Sequence, residues 1–128
     1  MRNVRFVFVT SAVALLFAAG LWVSAHEGEE HPSSKGAVEV KGEVVDLSCY
    51  LDHNARGAKH RQCAQACAKK GLPMGILTAD GKLYLLIEDH ARADAYKQAI
   101  SRAADIITVK GPVYQKGGIR AIKVQSVR

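Results

Sequence analysis

The feature that most limits what this chain can fold into is a long run of apolar and small residues near its N-terminus. The run extends from Phe6 to Val23 without a charged side chain, and Arg2 and Arg5 precede it. Val23-Ser24-Ala25 then places small residues at the positions that signal peptidase requires before its cleavage point. We therefore predict that residues 1–25 are a secretory signal peptide and that the protein is periplasmic or secreted.

A retained membrane anchor is the alternative to cleavage, because about 20 residues from Phe6 to Ala25 suffice to span a bilayer. If the signal is removed, membrane contact is transient and 103 of the 128 residues remain, from 26 to 128. That length accommodates one domain with one hydrophobic core. Loss of Arg2 and Arg5 lowers the formal net charge from +6 to +4. A mildly basic exported domain gives no reason to expect a nucleic-acid partner.

The mature chain divides into a short polar tail and one folded domain. Residues 26–36 carry no apolar period, so we predict a flexible tail there. The domain covers residues 37–128 and begins with Val38, Val40 and Val44 alternating with polar residues, which is typical of a strand. The remaining predicted elements are the rest of this strand to Tyr50, a loop over 51–57, a helix over 58–70, a hairpin of 74–79 and 82–87 around Asp80-Gly81, a helix over 90–103 beginning at Asp89, and strands over 106–109, 113–114 and 119–127.

The order of these elements favours a β-rich α+β fold of the OB-like kind. Five strands with a helix between the third and the fourth is the order found in the OB-fold barrel. The helix over residues 58–70 is then an insertion between the first two strands. A small open α+β sheet is the alternative.

Three cysteines and one histidine carry the strongest chemical signal in the chain. His60, Cys63 and Cys67 are spaced so that they share one face of the predicted helix. Cys49 ends the predicted first strand, and the following loop is long enough to bring it over that face. Thiolates and imidazole are the ligands of zinc and cuprous copper, whereas harder ions prefer carboxylates. We therefore predict a metal site at these four residues, with copper slightly ahead of zinc.

Basic side chains flank the predicted site. Lys59, Arg61, Lys69 and Lys70 are expected to offset the negative charge of a metal–thiolate centre and to lower the thiol pKa values. Metal binding releases the remaining thiol protons, so the metal affinity should rise with pH.

Two other uses of the cysteines stay open on the sequence alone. The helix has no large apolar residue between Ala58 and Lys70, so its cysteines could be its core face, because buried free Cys behaves as a small hydrophobic residue. An exported protein can also form disulfides. Cys63 and Cys67 are too far apart on one helix for a bond, so Cys49 would pair with one of them. The odd number of cysteines argues against a purely structural framework.

Catalysis has less support than binding, and enzymatic activity stays undecided. The chain has no C-x-x-C or C-x-x-C-H motif, which does not support a thioredoxin-like couple or attached haem. Cys63 with His60 as its base could form a nucleophile. Nothing in the sequence identifies an orienting third residue or an oxyanion site.

Weaker candidate ligands lie outside the helix. Cleavage after Ala25 makes His26 the first residue, and its amine and imidazole can together chelate cupric ion, with His31 nearby. An ordinary solvated tail is the alternative. Asp46 could accept a hydrogen bond from a ligating imidazole, although a solvated carboxylate at a strand end is the simpler expectation. Met74 is expected in the core.

Three segments, Gly42 to Tyr50, His60 to Cys67 and Gly71 to Gly75, resemble a group of small exported bacterial proteins. That group consists mostly of hypothetical proteins with a barrel-like domain. The resemblance covers most of residues 38–127. It implies that Cys49 acts together with the cysteines and histidine of the second segment, and it implies neither a metal nor an activity.

The sequence therefore predicts an exported OB-like domain that binds copper or zinc for storage, delivery, sensing or structural support. Its predicted partners are the metal ion and another exported protein. A metal-free module, stabilised by a disulfide of Cys49 and presenting its barrel face to a protein or glycan, is the alternative function. A thiol-redox enzyme is third. Nothing in the sequence indicates an oligomeric state.

Overall fold

The computed structural model describes residues 36–128, so the predicted signal peptide and residues 26–35 of the predicted tail lie outside the described residues. This part of the chain contains strands β1 (Val38–Asp46), β2 (Met74–Leu77), β3 (Leu83–Glu88), β4 (Ile106–Gly111), β5 (Val113–Lys116), β6 (Ile119–Val124) and β7 (Ser126–Val127), and helices α1 (Leu47–His53), α2 (Arg61–Lys69) and α3 (Ala93–Ser101). Single 3₁₀ turns at Ala58–His60 and His90–Arg92 precede α2 and α3.

The strands form one mixed sheet in the order β5-β6-β3-β2-β1-β4-β7. Every pair is antiparallel except β3 with β6, which is parallel. The fold is therefore of the β-rich α+β class, as predicted. The sheet is not closed, and the OB-like barrel is not confirmed.

Backbone chemistry explains why the end of the chain forms four strands where two were expected, one over 106–114 with an interruption at Pro112 and one over 119–127. Pro112 separates β4 from β5, and proline has no N–H with which to continue a ladder. Gln125 separates β6 from β7, and its N–H donates to the carbonyl of Lys110 at 2.9 Å. At Gly111 the backbone of the returning strand comes so close that a Cβ would lie 1.7 Å from the carbonyl oxygen of Lys123.

The core lies between the sheet and the helices α2 and α3. Val44, Ile76 and Ile122 of the sheet are fully buried, and Ala64 and Ala99 of the two helices reach the same cluster. Small alanines allow the helix backbones to approach the sheet closely. Among residues 36–128 no helix is long and apolar enough to cross a membrane.

Two sequence predictions about the first strand are wrong. Strand β1 ends at Asp46 rather than near Tyr50, and Cys49 lies in helix α1 rather than at a strand end. The Asp46 carboxylate accepts a hydrogen bond from the N–H of Ser48 at 3.0 Å, so it caps a helix that the strand pattern concealed. The predicted loop is correspondingly short and begins at Asn54, whose left-handed conformation ends α1.

The other predicted elements are found close to their expected places. The helix over residues 58–70 corresponds to the first 3₁₀ turn and α2, and the predicted hairpin corresponds to β2 and β3. Asp89 accepts a hydrogen bond from the N–H of Ala91 and so begins the second helical segment, as expected.

Candidate metal centre

Asp46 lies at the buried end of the candidate site, which we call the floor of the site. It pairs with Met74 at the end of the β1–β2 ladder and has no solvent-exposed surface. The next residue, Leu47, donates its N–H to the carbonyl of Pro73 at 3.0 Å, which holds the start of α1 against the end of the α2–β2 connection. Within the described chain, Asp46 is the only fully buried charged side chain. A carboxylate in such a position is costly unless it has partners.

Helix α1 places Cys49 over this floor. Capping by Asp46 begins the helix at Leu47, so Cys49 lies within its first turn and is half-buried. The N–H groups of Asn54 and Ala55 donate to the carbonyls of Tyr50 and Cys49 at the end of α1. The short helix therefore fixes Cys49 through backbone contacts at both ends.

Helix α2 supplies two further sulfur atoms from the opposite side. Its Ala64 and Ala68 are buried in the core, which leaves Cys63 exposed and Cys67 half-buried on the faces that do not enter the core. The core face of this helix is therefore alanine rather than cysteine. The Arg61 guanidinium lies 2.5 Å from the Asp105 carboxylate and anchors the start of α2 to the segment before β4.

The turn before α2 positions His60. Gly57 donates its N–H to the Glu43 carboxylate, and the N–H of His60 donates to the carbonyl of Gly57 at 2.9 Å. Gly57 has φ +76°, a conformation that favours glycine, so the turn depends on this residue. The ring of His60 also packs edge-on against that of His53, with centroids 6.3 Å apart.

Five side chains converge in two overlapping groups of potential ligands. The sulfur atoms of Cys49, Cys63 and Cys67 lie within 4.8 Å of one another. The ligand atoms of Asp46, Cys49 and His60 also lie within 4.8 Å of one another. Cys49 belongs to both groups. In either group the ligand atoms are close enough together to bind one metal ion after small movements of the side chains.

Two buried polar atoms at the site have no hydrogen-bond partner of regular geometry. They are Oδ2 of Asp46 and Nε2 of His60. Buried polar atoms are almost always paired, so these two atoms are open to a partner other than the thiols that neighbour Asp46. A metal ion accepts the lone pairs of both kinds of atom.

The electrostatics of the site are dominated by Asp46. Burial would raise the pKa of Asp46, but the neighbouring thiols of Cys49 and Cys67 and the N–H groups of Ser48 and Cys49 hold it below its usual value. In turn, the Asp46 carboxylate, together with burial, raises the pKa of Cys49 to about 12. The same causes raise the pKa of Cys67.

The expectation that flanking basic residues lower the thiol pKa values is therefore wrong for Cys49 and Cys67. Arg61 is engaged by Asp105 instead. Lys59, Lys69 and Lys70 point to solvent. The nearer, buried carboxylate has the larger effect because it is not screened by water.

The four predicted site residues all lie at this centre, but not as one group of four. His60 groups with Asp46 and Cys49 rather than with the two cysteines of α2. Asp46 was expected to have only a minor role, and an aspartate directly before the apolar Leu47 was the capping signal that could have placed it. His26 and His31 lie outside the described residues.

Comparisons with protein-family models, curated proteins and solved structures found no match to this chain. The class of site is therefore defined by its own chemistry. It is a cysteine cluster, extended by a carboxylate and an imidazole, in which the ligand atoms are close enough to hold a metal ion.

Proposed function

We propose that this protein binds a soft metal ion, copper or zinc, at the cluster of Cys49, Cys63, Cys67 and His60 after its export from the cytosol. The observation that carries the proposal is the convergence of three sulfur atoms within 4.8 Å from two separate helices. Packing alone does not require this convergence, because the core face of α2 consists of alanines. Thiolate and imidazole ligands select soft or borderline ions over calcium and magnesium.

Storage or delivery is favoured over a purely structural role for the ion. Cys63 is exposed, so a ligand of another carrier can approach the ion from solvent without unfolding of the domain. A structural zinc site is normally closed by four protein ligands. The partners in this role are the metal ion and another exported protein that donates or receives it.

Metal content provides the test. The reduced protein is isolated anaerobically, and copper, zinc and free thiols are counted per chain. We expect bound copper or zinc, and we expect Cys63→Ser to weaken its binding by at least about tenfold, the cost of losing even an indirect ligand contact. His90→Ala is the control, since His90 is exposed and belongs to neither ligand group. Absence of metal from the reduced protein, even after incubation with either ion, would contradict the proposal.

A metal-free module stabilised by a disulfide is the second candidate function. It is favoured by one observation: Cys49 Sγ lies within 4.8 Å of both other sulfur atoms, so either bond needs only a small movement. One free thiol and two oxidised ones, with stability lost in reductant and retained in His60→Ala, would support this module and a protein or glycan partner. A thiol-redox enzyme has less support because the raised pKa values of Cys49 and Cys67 leave little thiolate at neutral pH.

Export is proposed from the sequence features of residues 1–25. Mass spectrometry of the protein from its own cells should give an N-terminus at His26. An intact N-terminus in the membrane fraction would favour the retained anchor, and an intact N-terminus in the cytosol would contradict export.

We infer further that the fold is related to the OB type. If β4–β5 and β6–β7 are each counted as one bent strand, the last strand lies parallel to β3 and the fourth lies beside β1, with α3 between the third and the fourth. An OB fold is a partly open barrel, so open edges are compatible with it. Slow hydrogen exchange is expected at the N–H of Lys123 and Gln125, which bond to Pro112 and Lys110 across the gap. Rapid exchange there would contradict the relation.

A further inference from the structure

The two ligand groups at the site cannot both be satisfied by a single tetrahedral ion. Together they present five ligand atoms, from three cysteines, one aspartate and one histidine, and only the sulfur of Cys49 belongs to both groups. A zinc ion takes four ligands, so one ion bound to either group leaves atoms of the other without a partner. Oδ2 of Asp46 and Nε2 of His60 are the buried atoms that a Cys-only ion would leave unpaired.

Charge counting is compatible with a second ion. When all three thiols are ionised, they and the Asp46 carboxylate carry four negative charges, which two divalent ions neutralise. Protein cations contribute little, because Arg61 is paired with Asp105 and the flanking lysines are exposed.

We propose that the site, whose metal-binding function is itself the proposal above, is a two-ion centre bridged by the thiolate of Cys49. One divalent soft ion, such as zinc, is bound by Cys49, Cys63 and Cys67 at the solvent side. The other is bound by Asp46, Cys49 and His60 at the floor. On loading, three S–H bonds are replaced by sulfur–metal bonds, and the three protons pass to solvent; no electron transfer is involved.

The geometry suits this arrangement in two respects. Bridged pairs of ions in proteins lie roughly 3.5–4 Å apart, a spacing that ligand groups sharing one atom can provide. Each ion has three protein ligands and one remaining position, which water or an incoming ligand fills. The ion at Cys63 is the exchangeable one because that side chain is exposed, whereas the other ion is bound by Asp46, which is fully buried.

The number of zinc ions per chain tests the proposal. The reduced full chain is loaded with zinc alone, freed of excess ion and weighed by native mass spectrometry. We expect two ions in the unaltered protein, one in His60→Ala, which keeps all three thiols, and one in Cys63→Ser, which keeps the floor group. His90→Ala, an exposed histidine at the start of the second helical segment, is the matched control and should retain two.

The outcomes separate this inference from the proposed function. One ion in the unaltered protein at saturating zinc, whatever His60→Ala does, overturns the two-ion centre and leaves the soft-metal site intact. No zinc in the unaltered protein overturns the two-ion centre, and the proposed function falls only if the protein also binds no copper. Should His60→Ala fail to fold, the unaltered chain loaded with ¹¹³Cd²⁺ decides the matter by NMR. Two resonances coupled through the bridging sulfur support the centre, and a single resonance overturns it.

Discussion

At the scale of single residues, Asp46 governs the site through two roles. One carboxylate oxygen caps α1 and thereby places Cys49, and the carboxylate also interacts with the thiols of Cys49 and Cys67. That interaction raises the pKa of both thiols and so keeps them protonated until an ion displaces the protons. A substitution of Asp46 that keeps the helix cap should therefore still change the pKa of the neighbouring thiols.

Asp46→Asn is expected to lower the pKa of Cys49. The substitution keeps a side-chain oxygen for the cap but removes the carboxylate, whose hydrogen bond and charge, with burial, raise the pKa of Cys49 to about 12, so the pKa should fall toward its ordinary value of 9.0. Thiolate absorbance against pH measures it in the metal-free chain, with Cys63 and Cys67 replaced by serine so that one thiol remains. Asp52→Asn, an exposed carboxylate of the same helix, is the control. Equal titration curves for the two variants would contradict the role given to Asp46.

At the scale of elements, the centre depends on three segments that are anchored independently. Helix α1 is held by the Asp46 cap, the turn before α2 by Glu43, and the start of α2 by the ion pair of Arg61 with Asp105. Each anchor lies outside the sulfur cluster. The ligands are therefore preorganised before any ion binds, which is the condition for a well-defined metal site.

The Arg61–Asp105 pair should contribute stability only while Asp105 is ionised. Arg61 holds the pKa of Asp105 below its ordinary value of 3.8, so the pair stabilises the fold above pH 3.8 and the contribution is lost as pH falls through the lower folded-state pKa. Because the pair is partly exposed, Arg61→Gln should cost about 0.2–1 kcal/mol near neutral pH. Urea unfolding against pH measures the difference, which should vanish in acid. Arg56→Gln, at an exposed arginine, serves as the control; a pH-independent cost for Arg61→Gln would refute this account.

Gly111 is predicted to be irreplaceable where β4 meets β5. A Cβ there would overlap the carbonyl of Lys123, so Gly111→Ala should destabilise the fold by about 1–3 kcal/mol or more. Gly71→Asn is the control, because position 71 has open space around it and needs only the left-handed backbone that asparagine tolerates. Thermal unfolding of both variants measures the contrast. Equal stability of the Gly111→Ala and Gly71→Asn variants would contradict the prediction, because the backbones at positions 111 and 123 would then move apart at little cost in free energy.

At the scale of the whole molecule, an ion at the cluster connects β1 and α1 to α2. Ligation therefore links the stability of the domain to metal concentration, since the unfolded chain cannot present the same converged ligands. The sheet and the core of α2 and α3 are complete without the ion. The domain should for this reason remain folded when metal-free and gain stability on loading.

Each bound zinc ion is expected to raise the free energy of unfolding by about 2.7 kcal/mol at a free concentration one hundred times its dissociation constant. Because binding displaces thiol protons, the gain should shrink as pH falls. Differential scanning calorimetry with and without a chelator measures both effects. Cys49→Ser, which removes the shared ligand, should abolish the gain, whereas His90→Ala, at an exposed histidine outside both ligand groups, should preserve it. A gain that persists in Cys49→Ser would mean that zinc binds elsewhere.

The sequence was sufficient to predict the elements whose patterns are local. Periodicity and turn chemistry located the hairpin at Asp80-Gly81, the helix that ends before Gly71 and the helical segment that begins at Asp89. These inferences held because each depends on contacts between residues close in the chain, where helix and strand geometry leave few alternatives. Helical spacing also selected His60, Cys63 and Cys67, but the structure places His60 in the 3₁₀ turn before α2 and groups it with Asp46 and Cys49.

The grouping of those ligands depends on contacts between distant segments, which are visible only in the folded chain. A strand pattern through Val45 concealed the helix at Leu47, because the capping bond of Asp46 outweighs the local alternation. The burial of Asp46, its effect on the thiols and the separation of His60 from the α2 cysteines follow from segments that meet across the fold. Sequence periodicity does not predict these contacts, since they depend on where β1, α1 and α2 come to lie in space.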